Sequence, residues 1–434
     1  MSSELVASVF FFGMIVCMMI GIPIAICLAT IGFLGCIYIA GFSAAASGVM
    51  GLVPFTTATA QSMVAIPLFI LMGNIALHTN FASDLFNAAR LWLGRTPAGL
   101  AVAALASCGF FSSITGSSMA CSVAMGSIAI PEMRRNGYNA GFASGIAAAG
   151  GTLGVLIPPS TIFIIYGALT ETSIPKLFLA GIIPGLLLVS LYMAIAMVRV
   201  WFNPRLAPRY ELKVSWGERF RCLNTTIPMA LLFVALMGGM WLGIFTPEEA
   251  AGVGTVVVLF LALLHKRLNW RVIVQSLKDT GKTTGMIMAI FVGATIMIRF
   301  ASLSRLNMFL VELCTNLGVT PLAFIGISLL MYLVLGCIID PAGMIFLTLP
   351  LLIPIIKAVG IDLIWYGVFM VVCTEMAGIT PPVGLNCFVI AGVAGDVPLN
   401  DIFKNAGIFV IAQLVCIGVL IMVPHIVSII LPVK

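Results

Sequence analysis

The sequence predicts an all-α polytopic membrane protein built on an inverted repeat. Of its 434 residues, 61% are hydrophobic and 8% are charged, and the mean hydropathy is +1.19. Apolar runs recur with lengths near the ~20 residues that a helix needs to cross a ~30 Å hydrocarbon layer. Glycine and proline motifs recur at matched spacings in the two halves. These observations exclude a water-soluble globular protein.

The apolar runs determine the number of membrane crossings. They occupy residues 5–21, 22–42, 49–77, 98–131, 139–168, 177–200, 227–245, 250–265, 283–300, 321–356, 361–392 and 406–431. The first two form one stretch that is interrupted around Gly21 and Pro23, and we separate them because ~36 apolar residues exceed one tilted span. With two runs folded as re-entrant hairpins and two broken in the middle, about ten crossings are expected.

Charge and cysteine usage exclude other classes of protein. The 21 Lys and Arg against 15 Asp and Glu are spread between apolar runs, so no nucleic-acid partner is expected. The eleven cysteines include no CxxC pair, which argues against a disulfide framework or a zinc site. No basic residue precedes the first apolar run, so we expect no cleaved signal peptide. No Walker motif is present, so ATP is not expected as an energy source.

Basic loops set the predicted topology. Eleven of the 21 basic residues lie in two loops, Arg199, Arg205, Arg209, Lys213, Arg219 and Arg221 in one, and Lys266, Arg267, Arg271, Lys278 and Lys282 in the other. The positive-inside rule places both loops in the cytoplasm. Arginines also flank both ends of the run 98–131, whose centre at 112–118 is polar and glycine-containing. We therefore predict a re-entrant hairpin there.

Two halves of the chain repeat the same motifs in the same order. Leu93–Pro97 resembles Leu317–Pro321, and Ile157–Pro159 resembles Thr380–Pro382. The spacing is 27 positions from Pro131 to Pro158 and from Pro354 to Pro381, and seven from Gly109 to Gly116 and from Gly336 to Gly343. In the predicted topology the two units have opposite membrane orientation. Inverted repeats of this kind are typical of secondary transporters.

The repeat divides the chain into four predicted parts. Residues 1–54 form N-terminal scaffold helices, and residues 55–200 form repeat 1, with hairpin 1 at about 96–131 and a broken helix at about 139–168. Residues 201–282 comprise basic cytoplasmic linkers and two scaffold helices. Residues 283–434 form repeat 2, with hairpin 2 at about 321–356 and a broken helix at about 361–392.

Four interruptions at membrane depth form the predicted site. They are the hairpin centres at 112–118 and 339–343 and the breaks at 150–159 and 374–382. Proline lacks a backbone donor and glycine tolerates unwound dihedrals, so carbonyl oxygens are released from helical hydrogen bonds there. Released carbonyls and hydroxyls suit Na⁺, while helix N-termini favour an anionic substrate group. The alternative interpretation is close helix packing by small residues.

Three charged residues within apolar surroundings are further candidates. Asp340, at the tip of hairpin 2, is interpreted as an ion-site or gating group rather than only a capping residue. Glu375 is interpreted as an internal ion-pair or hydrogen-bond group close to the site. For Arg299, a carboxylate-binding role and an interfacial position with the charge at the membrane surface remain equal alternatives.

Several segments together resemble the large membrane subunit of tripartite ATP-independent periplasmic (TRAP) transporters, over essentially the whole chain. They are Ala65–Gly73, the serine-glycine hairpin, Ile157–Ser160, Gly243–Ala250 and Gly378–Asn386. The resemblance implies a Na⁺-coupled elevator-type importer of organic acids, such as sialic acid or C4-dicarboxylates, in a bacterial or archaeal inner membrane, with a periplasmic N-terminus. It also implies two partners, a soluble periplasmic substrate-binding protein and a small four-helix membrane subunit, in addition to the lipid bilayer.

The resemblance also implies site residues. The Na⁺ ligands would be drawn from Ser112, Ser113, Gly116, Ser117, Gly151, Thr152, Gly154, Asp340, Gly343, Thr374, Ala377 and Thr380. The substrate would meet Ser117, Ser118, Pro158, Pro159, Arg299, Pro381, Pro382 and Asn386, with Glu375 as a supporting group. The tip of hairpin 1 reads Thr115-Gly116-Ser117 where many relatives have Ser-Gly-Ser, which retains a hydroxyl but alters the ligand set.

Three other functions were weighed. A stand-alone Na⁺-coupled dicarboxylate or citrate symporter would share the hairpin plan but need no binding protein. An intramembrane enzyme is disfavoured, because no His-Glu-x-x-His, Ser-Lys or paired-aspartate constellation is present. A passive channel is disfavoured, because symmetric broken helices suit alternating access better than a continuous pore.

Overall fold

The computed structural model describes residues 3–208 and 214–431, which fold into helices without any strand. Seven of the described helices are long and apolar enough to cross a membrane, and shorter apolar helices accompany them. The predicted class, an all-α polytopic membrane protein, is therefore confirmed. Arg209 and Lys213, predicted to be cytoplasmic, lie outside the described residues.

Two separate helices open the chain, as the sequence predicted. Helix α1 spans Ser3–Met19 and α2 spans Ile24–Ala40. Gly21 between them has a φ of +94°, a conformation that glycine adopts without steric cost. Two short helices follow, α3 (Phe42–Ala45) and α4 (Val53–Ala58).

The next seven helices contain a packed helical hairpin and a broken helix. They are α5 (Ala65–His78), α6 (Phe81–Leu93), α7 (Gly99–Thr115), α8 (Ser118–Arg135), α9 (Ala140–Thr152), α10 (Thr161–Thr170) and α11 (Ile174–Phe202). Helices α7 and α8 pack against each other. Between α9 and α10 the chain passes through a short 3₁₀ turn, Leu153–Val155, and then through Pro158 and Pro159.

Four helices form the middle of the chain: α12 (Trp216–Arg221), α13 (Leu223–Trp241), α14 (Pro247–Leu264) and α15 (Trp270–Leu303). Thr246 and Glu249 form a capping box that starts α14. Helix α15 is 34 residues long and packs against α2 and α5. It runs through the predicted boundary at 282/283, so Lys278 and Lys282 are helical rather than part of a linker.

The last seven helices follow the order of the earlier hairpin and broken helix. They are α16 (Leu306–Asn316), α17 (Pro321–Leu335), α18 (Pro341–Ala358), α19 (Leu363–Ala377), α20 (Leu385–Ala394), α21 (Leu399–Ala406) and α22 (Val410–Met422). Here α17 packs against α19, and α18 packs against α15 and α16. The predicted final run, 406–431, is shorter as a regular helix and ends at Met422, before Pro424.

Candidate transport site

A cavity of about 190 Å³ lies between the tips of the two hairpins. The turn from α7 to α8 lines one side and the start of α18 lines another, with α5, α10, α15 and α19 contributing the remaining walls. Residues from both tips line the cavity together with Glu375 of α19. The tip residues include Gly116, Ser117, Ser118, Asp340, Pro341 and Ala342. Residues more than 200 positions apart in the sequence are thus brought to one cavity, whose largely apolar walls carry a few polar groups.

The tip of hairpin 1 is fixed by a glycine and a serine. Gly116 has a φ of +61°, and a Cβ at this position would lie 3.0 Å from the carbonyl oxygen of Pro159. Ser117 caps α8, its hydroxyl oxygen accepting a hydrogen bond from the amide of Ala120 at 3.4 Å. The Thr161 hydroxyl donates to the Gly116 carbonyl at 3.1 Å. The first turn of α8 therefore begins at the cavity, with the positive end of its dipole there.

The tip of hairpin 2 begins with Asp340. Its side chain caps α18 by accepting a hydrogen bond from the Gly343 amide at 3.4 Å, and Pro341 occupies the first helical position. The carboxylate also lines the cavity. Asp340 thus takes the capping position that the sequence analysis weighed as the alternative, and it still faces the site predicted for it.

Glu375 lies buried in α19 at 1% exposure, and neither carboxylate oxygen has a hydrogen-bond partner. Glu375 was predicted to act as an ion-pair or hydrogen-bond group; among the described residues no basic side chain pairs with it, and the Ser118 hydroxyl is the neighbouring polar group. The reason is the composition of its surroundings, since the nearby side chains of α8 and α11 include Ser118, Cys121 and Tyr192, none of them basic. An ionised carboxylate without a partner inside a membrane protein is energetically costly.

Five of the hydroxyls predicted as ion ligands already donate to backbone carbonyls three or four residues earlier in the chain. The bonds run from Ser112 to Cys108, from Ser113 to Phe110 (2.6 Å), from Thr152 to Ala149 (2.7 Å), from Thr374 to Val371 (3.0 Å) and from Thr380 to Ala377 (3.2 Å). A hydroxyl that donates its proton keeps acceptor lone pairs for another group. Thr152 also bonds the Tyr192 hydroxyl at 2.9 Å.

Small residues bring each hairpin against its broken helix. A Cβ on Gly151 would lie 1.8 Å from the Ser122 hydroxyl oxygen, and one on Gly154 would lie 2.6 Å from the Ser112 Cβ. In the second half, a Cβ on Gly336 would lie 2.0 Å from the Ala377 Cβ. Such contacts permit only glycine. The predicted site residues Ser112 and Gly154 are therefore direct neighbours.

Six predicted substrate residues do not line the cavity. Arg299 is exposed on α15, Pro158 and Pro159 are buried behind the hairpin tip, and Pro381 and Pro382 are exposed. Asn386 is 2% exposed, and its amide nitrogen has no hydrogen-bond partner. For Arg299, exposure outside this cavity leaves both predicted roles open.

Polar residues on α5, α10 and α15 also line the cavity, and sequence reasoning missed them. Asn74 donates to the Thr280 hydroxyl at 2.9 Å, and Thr161 and Thr283 contribute further hydroxyls. One available signal was that Asn74 is a lone amide inside a long apolar run. The positions of Thr161 and Thr283 depend on tertiary packing that no local pattern indicates.

Comparison with known proteins extends these observations. The family model of the tripartite ATP-independent periplasmic transporter DctM component matches residues 11–426. The chain is 35% identical to the C4-dicarboxylate TRAP transporter large permease protein DctM of Pseudomonas aeruginosa, over 93% of each chain. It is 30% identical to the sialic acid TRAP transporter large permease protein SiaM of Vibrio cholerae, over 79% of this chain and 80% of that one.

Solved structures show a related fold. The YdaH transporter of Alcanivorax borkumensis superposes with a TM-score of 0.61 at 15% sequence identity, covering 87% of this chain and 89% of that one. MtrF of Neisseria gonorrhoeae superposes with a TM-score of 0.63 at 12% identity, covering 89% and 86%. At these identities the likeness concerns the fold alone.

The helical membrane fold, the cavity at the hairpin tips and these relatives define a membrane transport protein. Its apolar helices and these relatives indicate a multi-pass protein of the inner membrane. More particularly, the chain belongs to the DctM family, the large permease components of tripartite ATP-independent periplasmic transporters.

Proposed function

We propose that this chain is the permease of a Na⁺-coupled importer of an organic acid that a soluble periplasmic binding protein delivers. The observation that carries the proposal is the cavity enclosed by both hairpin tips. Substrate and coupling ions bound there contact both halves of the chain at once. Relatives named for C4-dicarboxylate and sialic acid transport support a carboxylate substrate.

The charges around the cavity support coupling to cations. Asp340 and Glu375 line it, and the described lining includes no Lys, Arg or His. An anionic substrate entering such a site would meet two carboxylates, which repel it when they are ionised. The N-termini of α8 and α18 offset part of this repulsion, and co-transported Na⁺ would offset more. Cation binding would therefore raise the affinity for the substrate, which is the basis of symport.

Two symmetric groups of oxygen donors would bind the Na⁺ ions. The first combines the hydroxyls of Ser112, Ser113 and Ser117 with backbone carbonyls near Gly116, Gly151, Thr152 and Gly154. The second combines Asp340 with Thr374, Thr380 and the backbone near Gly343 and Ala377. Hard oxygen donors suit a hard cation. The close contacts of Ser112 with Gly154, and of Gly336 with Ala377, hold hairpin and broken helix together in both groups.

An elevator movement would carry this site across the membrane. The hairpins, α9–α10 and α19–α20 would move as one transport domain, because glycine contacts join hairpin and broken helix. The scaffold would comprise α1, α2, α13 and α14, with the N-terminus periplasmic. The opposite membrane orientation proposed for the two repeats would give inward-facing and outward-facing states of similar energy.

Two partner proteins complete the proposed transporter, a small four-helix membrane subunit and the binding protein. The isethionate TRAP transporter permease protein DctMQ of Oleidesulfovibrio alaskensis is 31% identical over 87% of this chain, which covers 59% of that longer protein. The additional length of that relative is consistent with a second membrane component fused to the permease.

Uptake by proteoliposomes tests the proposal. The chain, its small subunit and its binding protein, loaded with a radiolabelled organic acid, should show uptake that requires an inward Na⁺ gradient. Liposomes containing the chain alone should show negligible uptake at micromolar substrate. Robust uptake by the chain alone would favour the stand-alone symporter, and uptake that is equal without Na⁺ would refute the coupling.

A further inference from the structure

A cluster of aromatic side chains surrounds one buried arginine where α12 packs against the end of α6. Trp216 and Phe220 of α12 stack at 6.4 Å between ring centroids, and Trp92 of α6 meets Phe220 edge-on at 5.8 Å. The Trp92 indole donates to the backbone carbonyl of Arg219 at 3.2 Å. Trp216 and Phe220 are 67% and 58% exposed, whereas Arg219 is only 7% exposed.

The Arg219 guanidinium lacks an anionic partner. Its Nε and Nη2 atoms are buried and have no hydrogen-bond partner, and no ion pair involves it among the described residues. The neighbouring Glu218 carboxylate is used in the capping box with Ser215. The Trp216 ring, 5.1 Å from the guanidinium carbon, offers a cation–π contact but no acceptor for the two N–H groups.

The two unpaired donors form one edge of the guanidinium. Nε–H and an Nη2–H point in the same direction and fit two oxygens of a single phosphate or carboxylate. This unpaired bidentate edge is suited to an anion from outside the chain, which would reach the two buried nitrogens when the exposed Trp216 or Phe220 side chain moves aside. Arg221, exposed two positions further on, would add positive charge to the same side.

The position of the cluster identifies the source of that anion. Residues Trp216–Trp241 form one candidate membrane span with α12 at its N-terminal end, which would put the cluster near one edge of the bilayer. Exposed Trp side chains are characteristic of this interface. The basic residues of the loop predict that this is the cytoplasmic leaflet, where anionic headgroups attract arginine.

We propose that Arg219 binds the phosphate of an anionic phospholipid headgroup, and that Trp92, Trp216 and Phe220 hold the acyl chains beside it. The occupied site would anchor α12, and with it the start of α13, at a fixed depth in the membrane.

Native mass spectrometry of the purified membrane complex tests the proposal. The complex is titrated with phosphatidylglycerol or phosphatidylcholine, for the parent chain, Arg219→Gln, Arg219→Lys and Arg205→Gln. Arg205 is the matched control, since it is an exposed arginine of the same loop outside the aromatic cluster. A parallel titration with inorganic phosphate distinguishes a lipid headgroup from a free anion.

We expect the parent to bind phosphatidylglycerol in preference to phosphatidylcholine. Arg219→Gln should weaken phosphatidylglycerol binding about tenfold, Arg219→Lys should weaken it less, and Arg205→Gln should bind like the parent. If Arg219→Gln and Arg205→Gln lose phosphatidylglycerol binding equally, the lipid is attracted by the general positive charge of the loop, and the proposed site at Arg219 is wrong. Equal retention of both lipids, or displacement of the lipid by millimolar phosphate, would also overturn it.

Discussion

Replacing Gly151 by alanine tests the contact that holds hairpin 1 against the broken helix. The added Cβ would lie 1.8 Å from the Ser122 hydroxyl oxygen, 3.0 Å from the Ser122 Cβ and 2.9 Å from the Ser118 carbonyl oxygen. Real Cβ atoms do not approach so closely, so α8 and α9 must separate. Because the first turn of α8 lines the cavity, this separation would disturb the site itself.

The expected cost follows from overpacking, about 1–3 kcal/mol. For a chain of this length, at ~2.1 cal/mol/K of unfolding entropy per residue, this lowers the thermal midpoint by roughly 1 to 3 °C. Adding Ser122→Ala removes the hydroxyl but leaves the Ser118 carbonyl, so the double variant should recover roughly half of the loss.

Scanning fluorimetry of the purified complex measures these midpoints, with Gly252→Ala as the control. Gly252 lies inside α14, and a Cβ there would meet no atom within 4 Å. That variant should be neutral or slightly stabilised, since alanine favours a helix over glycine by about 0.5–1 kcal/mol. A Gly151→Ala midpoint equal to that of Gly252→Ala, or no recovery on adding Ser122→Ala, would refute the packing argument.

The remaining predictions concern topology and the exposed arginine. In a cysteine-depleted background, a cysteine at Arg205 should be protected from an impermeant thiol reagent in intact cells and one at Glu248 should be labelled; the reverse pattern would contradict the orientation. Arg299→Gln should retain uptake within about twofold of the parent, because the side chain is exposed outside the cavity. A tenfold loss of uptake in Arg299→Gln would instead support a carboxylate-binding role for Arg299.

Much of the fold was predictable because hydrocarbon imposes simple rules on the chain. Apolar run lengths predicted that the chain forms many apolar helices, and Gly21 with Pro23 marked the separation of α1 from α2. Helix α15 is longer than the predicted apolar run 283–300, because residues 270–282 continue the same helix before that run begins. Hydropathy marks where a helix enters the membrane, whereas amphipathic residues can continue the same helix beyond it.

The site was predictable where backbone requirements constrain the sequence. Gly116, Ser117 and Asp340 occupy turns and caps, which need particular residue types, and all three reach the cavity. Asn74, Thr161 and Thr283 could not be found this way, because their places depend on how α5, α10 and α15 pack. Glu375 was recognised as exceptional, but its lack of a partner depends on tertiary neighbours that sequence does not supply.

The Na⁺ concentration for half-maximal uptake by the reconstituted complex tests the central claim most directly. Asp340→Asn should raise it about 10- to 150-fold, as expected for the loss of a charge-assisted contact of ~1.5–3 kcal/mol, while the protein still elutes as a single species. Ser190→Ala is the control, because this exposed hydroxyl bonds only within α11, to the Leu186 carbonyl at 2.8 Å. Parental Na⁺ dependence in Asp340→Asn would contradict a coupling site at the hairpin tips.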